Sequence, residues 1–260
     1  MDNRIQDHYF KTKNQFRFKM FRPSLIIAIL VGAVQAKDFE IVNREGGAIW
    51  VGIQAGSGKQ ALNNGGFKLD GGESKTVRAP DDWAGRFWAR TWCDDSTSHC
   101  LTGDCGNKVE CGGNGSTPPA THIEITLTGS GGLDYYDISL VDGFNVPASV
   151  EPSGGSGDGS QYSCGKSACK PNLNDLCPEE LKLDSPYGVI GCQSACFRFN
   201  TDEYCCRNAY STPGTCRSSD WKNNYPKFFK DHCPDAYSYA YDDHTSIFSC
   251  KAPEYILTFG

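Results

Sequence analysis

The chain has 260 residues, of which 38% are hydrophobic and 14 are cysteine, and its formal net charge is −6. This length and composition are sufficient to bury a sizeable hydrophobic core. The acidic balance argues against nucleic acid or an anionic membrane surface as the partner.

Residues 1–36 predict a secretion signal. An apolar run at residues 25–34 follows Lys19 and precedes a small-x-small site that ends at Ala36. A membrane-spanning helix needs about 20 apolar residues, so the segment is interpreted as a cleaved signal peptide and not as a stable membrane anchor. Met20 stands at the usual distance before the run and is a candidate start. Cleavage would leave a secreted, extracellular protein with 19 basic and 29 acidic residues.

All fourteen cysteines lie between Cys93 and Cys250, and their number is even. In an exported protein this predicts disulfides, because they persist in an oxidising compartment. A zinc site would favour paired C-x2-C spacings, which the chain lacks, and its five histidines show no metal-ligand spacing. We therefore predict neither a metal site nor a cofactor.

From residue 37 to about 91, short alternating segments are separated by glycine turns, which indicates strands. Four strands are predicted, at residues 39–42, 48–53, 74–78 and 86–92. Many short strands favour a β-sandwich or barrel over a βαβ fold. Residues 92–121 then carry four cysteines among Gly, Asn, Ser and Pro, which predicts a small loop region stapled by disulfides.

Residues 122–127 and 135–141 predict a β-hairpin around a glycine-rich turn at 128–132. In a symmetric hairpin the numbers of paired residues sum to 261, so apolar residues face apolar ones and Glu124 faces Asp137. A slip of one residue would mix the two faces, which favours this register. Opposed carboxyl groups are destabilising unless a cation, a shared proton or a ligand offsets them.

The second half of the chain departs from strand alternation and then returns to it. Residues 151–163 are rich in glycine and serine and predict a loop. Alternation fades from residue 164 to 233, where a helix is predicted at 225–232 with proline in its first turn. Strands are predicted again at 237–241 and 255–259.

Several motifs together identify a family. Residues 86–91 and the C-L-T-G-D-C motif at 100–105 are similar to the thaumatin signature. Residues 118–121, 136–147 and 233–239 follow in the order of the same family. From Phe39 to Phe259 the chain therefore resembles the thaumatin-like proteins, which include the osmotin and pathogenesis-related group of plants.

The resemblance implies a mainly β fold, a thaumatin-like β-sandwich with a disulfide-rich, partly helical second domain and a small stapled loop domain. The sandwich body would comprise residues 37–91, 122–169 and 234–260. The loop domain would span 92–121 and the helical domain 170–233. Binding sites commonly form in clefts between domains, and the family has its cleft between the body and the larger appendage.

The family usually has sixteen cysteines, and the two missing here join the N-terminal strand to the extreme C-terminus. Glu45 takes the first of these positions, and Phe259-Gly260 ends the chain without the second. A looser closure between the first and last strands is expected. The resemblance pairs the other fourteen as Cys93–Cys100, Cys105–Cys111, Cys164–Cys250, Cys169–Cys233, Cys177–Cys192, Cys196–Cys205 and Cys206–Cys216.

Antifungal members of the family share one arginine and four carboxylates in the cleft. These map onto Arg86, Glu124, Asp137, Asp142 and Asp243. Asp142 needs a bend at Gly143 to reach the cleft, and Asp242 adjoins Asp243. Rings that could stack on sugar faces are expected nearby, and the candidates are Tyr135, Phe144, Tyr237 and Tyr241.

The resemblance implies a secreted defence protein, expected to be a monomer, that binds microbial β-1,3-glucan or a microbial surface in the acidic cleft. An alternative is a weak endo-β-1,3-glucanase, with Glu124 as acid and Asp137 or Asp142 as base or nucleophile. Further alternatives are an antimicrobial that recognises proteins or perturbs membranes, and an acidic rim with no sugar role. Asn114 begins an N-glycosylation sequon and is a candidate modification site.

Overall fold

The computed structural model describes residues 36–260, and the predicted signal peptide lies outside them except for Ala36. The described residues form fifteen strands, two α-helices and seven short 3-10 turns. The strands are β1 (Ala36–Asn43), β2 (Ile49–Ala55), β3 (Gly66–Leu69), β4 (Ser74–Pro80), β5 (Ala84–Asp94), β6 (His99–Thr102), β7 (His122–Thr126), β8 (Asp134–Ser139), β9 (Ala148–Ser153), β10 (Ser167–Cys169), β11 (Lys182–Ser185), β12 (Gly188–Cys192), β13 (Ala236–Tyr237), β14 (Phe248–Cys250) and β15 (Glu254–Phe259). The helices are α1 (Ala195–Phe199) and α2 (Tyr225–His232).

Two large sheets form the body of the molecule. One has the strand order β10-β9-β15-β1-β4, and the other has the order β13-β8-β7-β5-β2-β3, with β14 against β8 and β6 against β5. Phe39 of β1 and Phe87 of β5 are fully buried, with ring centroids 5.1 Å apart, and therefore join the two sheets. The prediction of a mainly β sandwich is confirmed, because the inner faces of both sheets share one core.

The β7–β8 hairpin has the predicted register. Ile123 pairs with Ile138 and Glu124 with Asp137, and every pair in the ladder sums to 261. Beyond β8 the chain turns at Gly143, whose φ of +88° lies in the left-handed region that glycine adopts without strain. This is the bend that Asp142 requires.

The small loop region is tied to the body by a buried arginine. Strand β5 continues to Asp94, so the first residues of the predicted loop domain extend this strand. Arg90 of β5 has no exposed surface, and its guanidinium donates hydrogen bonds to the carbonyl oxygens of Lys108 and Val109, at 2.5 and 2.6 Å. It also donates to the carbonyls of β2, which fastens the loop to the sheet.

Helix α2 has the predicted bounds, because Asn224 caps its first turn by accepting a hydrogen bond from the Lys227 N–H at 3.2 Å. The strand predicted at 237–241 is wrong beyond Tyr237. Asp242 Oδ2 instead accepts hydrogen bonds from the Ser238 backbone N–H and hydroxyl, which closes a turn.

The structure contains seven disulfides, and each joins the pair of cysteines that the resemblance implies. Strands β1 and β15 pair in parallel from Asp38 to Asn43 without the eighth bridge. Strand β9 includes residues 151–153, which were predicted as loop, and they pair with β15. Within residues 36–260, no helix has both the length and the apolarity to cross a membrane.

Candidate functional site

Three neighbouring strands place three of the predicted site residues in one row. Arg86 of β5 pairs with Glu124 of β7, which pairs with Asp137 of β8. Directly opposed side chains in antiparallel strands have Cβ atoms about 4.5–5.5 Å apart. The three charged groups therefore share one face of the sheet.

Arg86 lies between two acids. Its Nη1 atom is 3.9 Å from Glu124 Oε1 and 3.8 Å from Asp142 Oδ2. Its Nε atom donates a hydrogen bond of 2.8 Å to Gln54 Oε1, so the neighbouring strand β2 orients the guanidinium. Sequence analysis did not identify Gln54, because the order of the strands decides that β2 lies beside β5.

Asp137 is the most buried acid of the group. Its exposed fraction is 9%, and its Oδ1 atom has no hydrogen-bond partner within the described part of the chain. Burial raises the pKa of Asp137 well above its ordinary value, and the charges of Glu124 and Asp243 raise it further. Burial also raises the pKa of Glu124, but Arg86 opposes that shift. Of the two acids, Asp137 therefore holds its proton to the higher pH.

Asp243 joins the group from the last third of the chain. Its Oδ1 atom accepts a hydrogen bond of 2.8 Å from the Tyr237 hydroxyl, and its charge affects the pKa of Asp137. Asp242 does not take this place, because it binds Ser238. The structure thus brings together all five predicted residues, which are called the acidic cluster below: Arg86, Glu124, Asp137, Asp142 and Asp243.

The predicted aromatic residues are less well placed. Phe144 is wrong as a stacking candidate, because its ring is fully buried in the core. Tyr135 lies at the hairpin turn and donates to the carbonyl of Ser130. Tyr241 donates to the carbonyl of Ser211 in the disulfide-rich segment. Tyr237 is the candidate of the four with a direct contact to the acidic cluster.

His122 of β7 is a buried neighbour of the acidic cluster. Its Nε2 atom lies 2.7 Å from Ser116 Oγ, and its Nδ1 atom lies 3.6 Å from Asp142 Oδ2. Although the order Ser–His–Asp is that of a nucleophilic triad, burial and then Arg86 lower the pKa of His122 to about 3. An imidazole that holds a proton so weakly is a poor general base near neutral pH, so we assign it a positioning role.

The loop that carries the candidate glycosylation site lies beside the acidic cluster. A Cβ atom built on Gly115 would lie 3.3 Å from Arg86 Nη2. Asn114 is exposed, and its side-chain amide donates to the carbonyl of Cys105.

The cavity next to Arg86 and Glu124 has a volume of about 170 Å³. Sites that enclose a small ligand usually measure about 300–1,000 Å³. The space beside Arg86 and Glu124 is therefore smaller than a typical enclosed ligand pocket. Ionised carboxylates accept hydrogen bonds from hydroxyl groups, and Arg86 can donate to ligand oxygens.

Comparison with known proteins identifies the family of the chain. The thaumatin family profile matches residues 43–260. The chain is 49% identical over 230 residues to pathogenesis-related protein 5 of Arabidopsis thaliana, covering 87% of this chain and 91% of that protein. It is 44% identical over 232 residues to thaumatin-like protein 1 of Pyrus pyrifolia, with coverages of 87% and 91%. The solved structure of a thaumatin-like xylanase inhibitor is 26% identical, with a TM-score of 0.40 over 60% of this chain and 92% of that one. The chain belongs to the thaumatin family.

Proposed function

We propose that this protein is a secreted defence protein that binds β-1,3-glucan of microbial cell walls at the acidic cluster. The observation that carries the proposal is the convergence of four carboxyl groups and one guanidinium from separate parts of the chain. Relatives named as pathogenesis-related proteins support the defence role.

The electrostatics of the acidic cluster suit a neutral, hydroxyl-rich ligand. The charge of Glu124 raises the pKa of Asp137, so the two carboxyl groups disfavour each other's ionisation. Sugar hydroxyls that donate to the carboxylates would offset part of this repulsion. An anionic polymer would add to it. A neutral glucan is therefore the better ligand.

Retention on insoluble β-1,3-glucan tests the proposal. The double variant Glu124→Gln/Asp137→Asn removes two carboxylates of the acidic cluster while keeping the shapes of the side chains. The variant Glu151→Gln/Asp231→Asn is the matched control, because it removes two acids that pair with surface lysines. We expect the first variant to elute and the control to be retained like the wild type. Equal retention of all three proteins would rule out the acidic cluster.

A second candidate function is weak hydrolysis of the same polymer. The observation that favours it is that burial raises the pKa of Asp137 well above its ordinary value, while Arg86 opposes the rise at Glu124. One protonated and one ionised carboxyl would form an acid–base pair. Release of reducing ends from laminarin measures the activity. We expect Asp137→Asn to abolish it. No activity of the wild type between pH 4 and pH 7 would remove this candidate.

The proposed secretion rests on the predicted signal and on seven disulfides, which an oxidising compartment preserves. N-terminal sequencing of protein from the culture medium of a eukaryotic host tests it. We expect the mature chain to begin at Lys37. Protein that stays in the cell with residues 1–36 attached would contradict the proposal.

A further inference from the structure

A larger cavity, of about 500 Å³, lies away from the acidic cluster. Its lining includes Trp92 at the end of β5, six residues from Arg86, and strands rise about 3.3 Å per residue. The two places are therefore about 20 Å apart along one strand. None of the residues that line this cavity belongs to the acidic cluster, and its volume lies within the usual range for ligand sites. It is called the Trp92 cavity below.

Trp92 presents a large aromatic ring at the surface. The residue is 48% exposed, and one face of its indole stacks on Tyr187, with ring centroids 4.9 Å apart and planes within 7°. Tyr187 is 68% exposed and does not line the cavity, so it supports the indole from outside. Because both rings are largely exposed, burial in the hydrophobic core does not account for their stacking.

The backbone at Trp92 is unfavourable for its side chain. Its φ is +56°, in the left-handed region that bulky residues rarely adopt. Such conformations persist mainly where the surrounding structure holds them, and they concentrate at functional sites. A glycine would adopt this φ without strain. Because Trp92 is half exposed, packing alone gives little reason to keep an indole there.

Two side chains that line the Trp92 cavity, Asn174 and Glu45, offer hydrogen-bond acceptors. Asn174 donates its amide to the carbonyl of Asn145 at 2.9 Å, while its Oδ1 atom is shielded from solvent and has no partner among the residues described. A buried amide oxygen without a donor is unfavourable. Glu45 is half buried in the same wall, and the lining includes no lysine or arginine. The cavity therefore suits a ligand that donates hydrogen bonds and carries no negative charge.

We propose that the Trp92 cavity is a second carbohydrate-binding site, which takes a neutral sugar unit of a glycan. The C–H face of the sugar would lie against the indole of Trp92, since aromatic faces carry partial negative charge. Its hydroxyls would donate to Glu45 and, after a small rotation of the amide, to Asn174 Oδ1. This site is independent of the function proposed for the acidic cluster.

A cationic ligand is the competing class, because an aromatic ring and a carboxylate also bind amines. The lining of the cavity favours the sugar, since Glu45 is the only acidic residue in it. Burial also raises the pKa of Glu45, because it disfavours the charged form. Glu45 stands where the family resemblance places a cysteine, so the absent disulfide leaves this carboxyl free to line the cavity.

Two sites on one chain would increase retention on a polymer. When one site holds a glycan strand, the second binds it at a raised effective concentration, provided that the strand reaches both. Insoluble glucan would then retain the protein more strongly than either site binds a short oligosaccharide.

NMR titration tests the Trp92 cavity directly. The probes are laminarihexaose, xylohexaose and cellohexaose as neutral glycans, with spermidine as the cation. The titrations use the full mature chain with Glu124→Gln/Asp137→Asn, so that the acidic cluster contributes little. We expect the indole N–H signal of Trp92 to shift with at least one oligosaccharide, and Trp92→Ala to weaken that binding about tenfold, or about 1.4 kcal/mol.

Two further variants keep the result interpretable. Trp92→Gly removes the ring and relieves the positive φ, so its loss of binding could not be attributed to misfolding. Phe197→Ala removes an exposed aromatic ring that does not line the cavity, and it should bind like its parent. The proposal fails if no oligosaccharide shifts the Trp92 signal, if spermidine alone does so, or if Trp92→Ala and Trp92→Gly bind as tightly as their parent.

Discussion

Glu124 and Asp137 face each other across the β7–β8 ladder, but they have different electrostatic surroundings. A guanidinium nitrogen of Arg86 lies 3.9 Å from Glu124, whereas Asp137 is in none of the ion pairs among residues 36–260. Burial and the charge of Glu124 therefore raise the pKa of Asp137. The two carboxyl groups are paired in the ladder, but Asp137 holds its proton more strongly than Glu124 does.

The first prediction concerns the stability of Asp137→Asn. The folded protein holds the Asp137 proton to a higher pH than the unfolded chain does, so ionisation of this group reduces stability as pH rises above about 4. We expect the asparagine variant to have a free energy of unfolding about 1–2 kcal/mol higher at pH 7. The advantage should shrink as pH falls towards 3.

Urea unfolding at both pH values measures this effect. Glu124→Gln is the control, because Arg86 already offsets part of the burial of Glu124. Its gain at pH 7 should be smaller. An Asp137→Asn variant that is no more stable than the wild type at pH 7 would contradict the assignment of Asp137 as the protonated acid.

His122 should have the opposite pH dependence. Its folded pKa of about 3 lies below the ordinary value of 6.5, so its contribution is present above pH 6.5 and is lost as pH falls towards 3. The loss is at most about 1.4 kcal/mol per pH unit. His122→Leu cannot titrate and should flatten this part of the profile of stability against pH. The exposed His232→Leu is the control, and equal slopes for both variants would contradict the prediction.

Arg90 is predicted to be irreplaceable by lysine. Its planar guanidinium donates to carbonyls of both β2 and the small loop, whereas an ammonium cannot reproduce this fork. We expect Arg90→Lys to lower the free energy of unfolding by about 2–3 kcal/mol. Arg78→Lys is the matched control, because Arg78 is exposed and its nearest acid is 4.0 Å away. Chemical denaturation of both variants checks this, and equal stability would refute the role of the fork.

The absent eighth disulfide is predicted to be restorable. A Cβ atom built on Gly260 would lie 2.6 Å from the backbone nitrogen of Glu45, so the two positions are adjacent. Glu45→Cys/Gly260→Cys should form a bridge after a small shift of the last residue and stabilise the fold by about 2–4 kcal/mol. Thiol titration and thermal unfolding measure the result, with Glu45→Ala as the control. Two free thiols would show that the ends cannot be joined.

Much of the local structure follows from sequence patterns. The β7–β8 register was predictable because alternation has a period of two and only one register keeps Ile123 and Ile138 on the buried face. Helix α2 was predictable because Pro226 occupies its first turn. The end of strand β9 was missed because the glycine and serine residues that follow it are typical of a loop, so residues 151–153 were predicted as part of that loop.

The residues of the acidic cluster could be predicted from the sequence, but their burial, contacts and pKa shifts could not. The family resemblance identified its five residues, because the motifs of the family that carry them can be recognised in this sequence. It could not supply the burial of Asp137 or the place of Gln54 beside Arg86. Those depend on which strands become neighbours, and a pKa responds to every group that packs around the carboxyl.

The sequence by itself determined the family, the alternating strands, the hairpin register and the cysteines available for cross-linking, because each is written in residue type and spacing. Only the tertiary structure decided that Phe144 is buried, that Asp137 lacks a cation and that Trp92, Glu45 and Asn174 border one cavity. Trp92, Glu45 and Asn174 come from segments that are distant along the chain. Their proximity arises from strand order and packing, which no local pattern encodes.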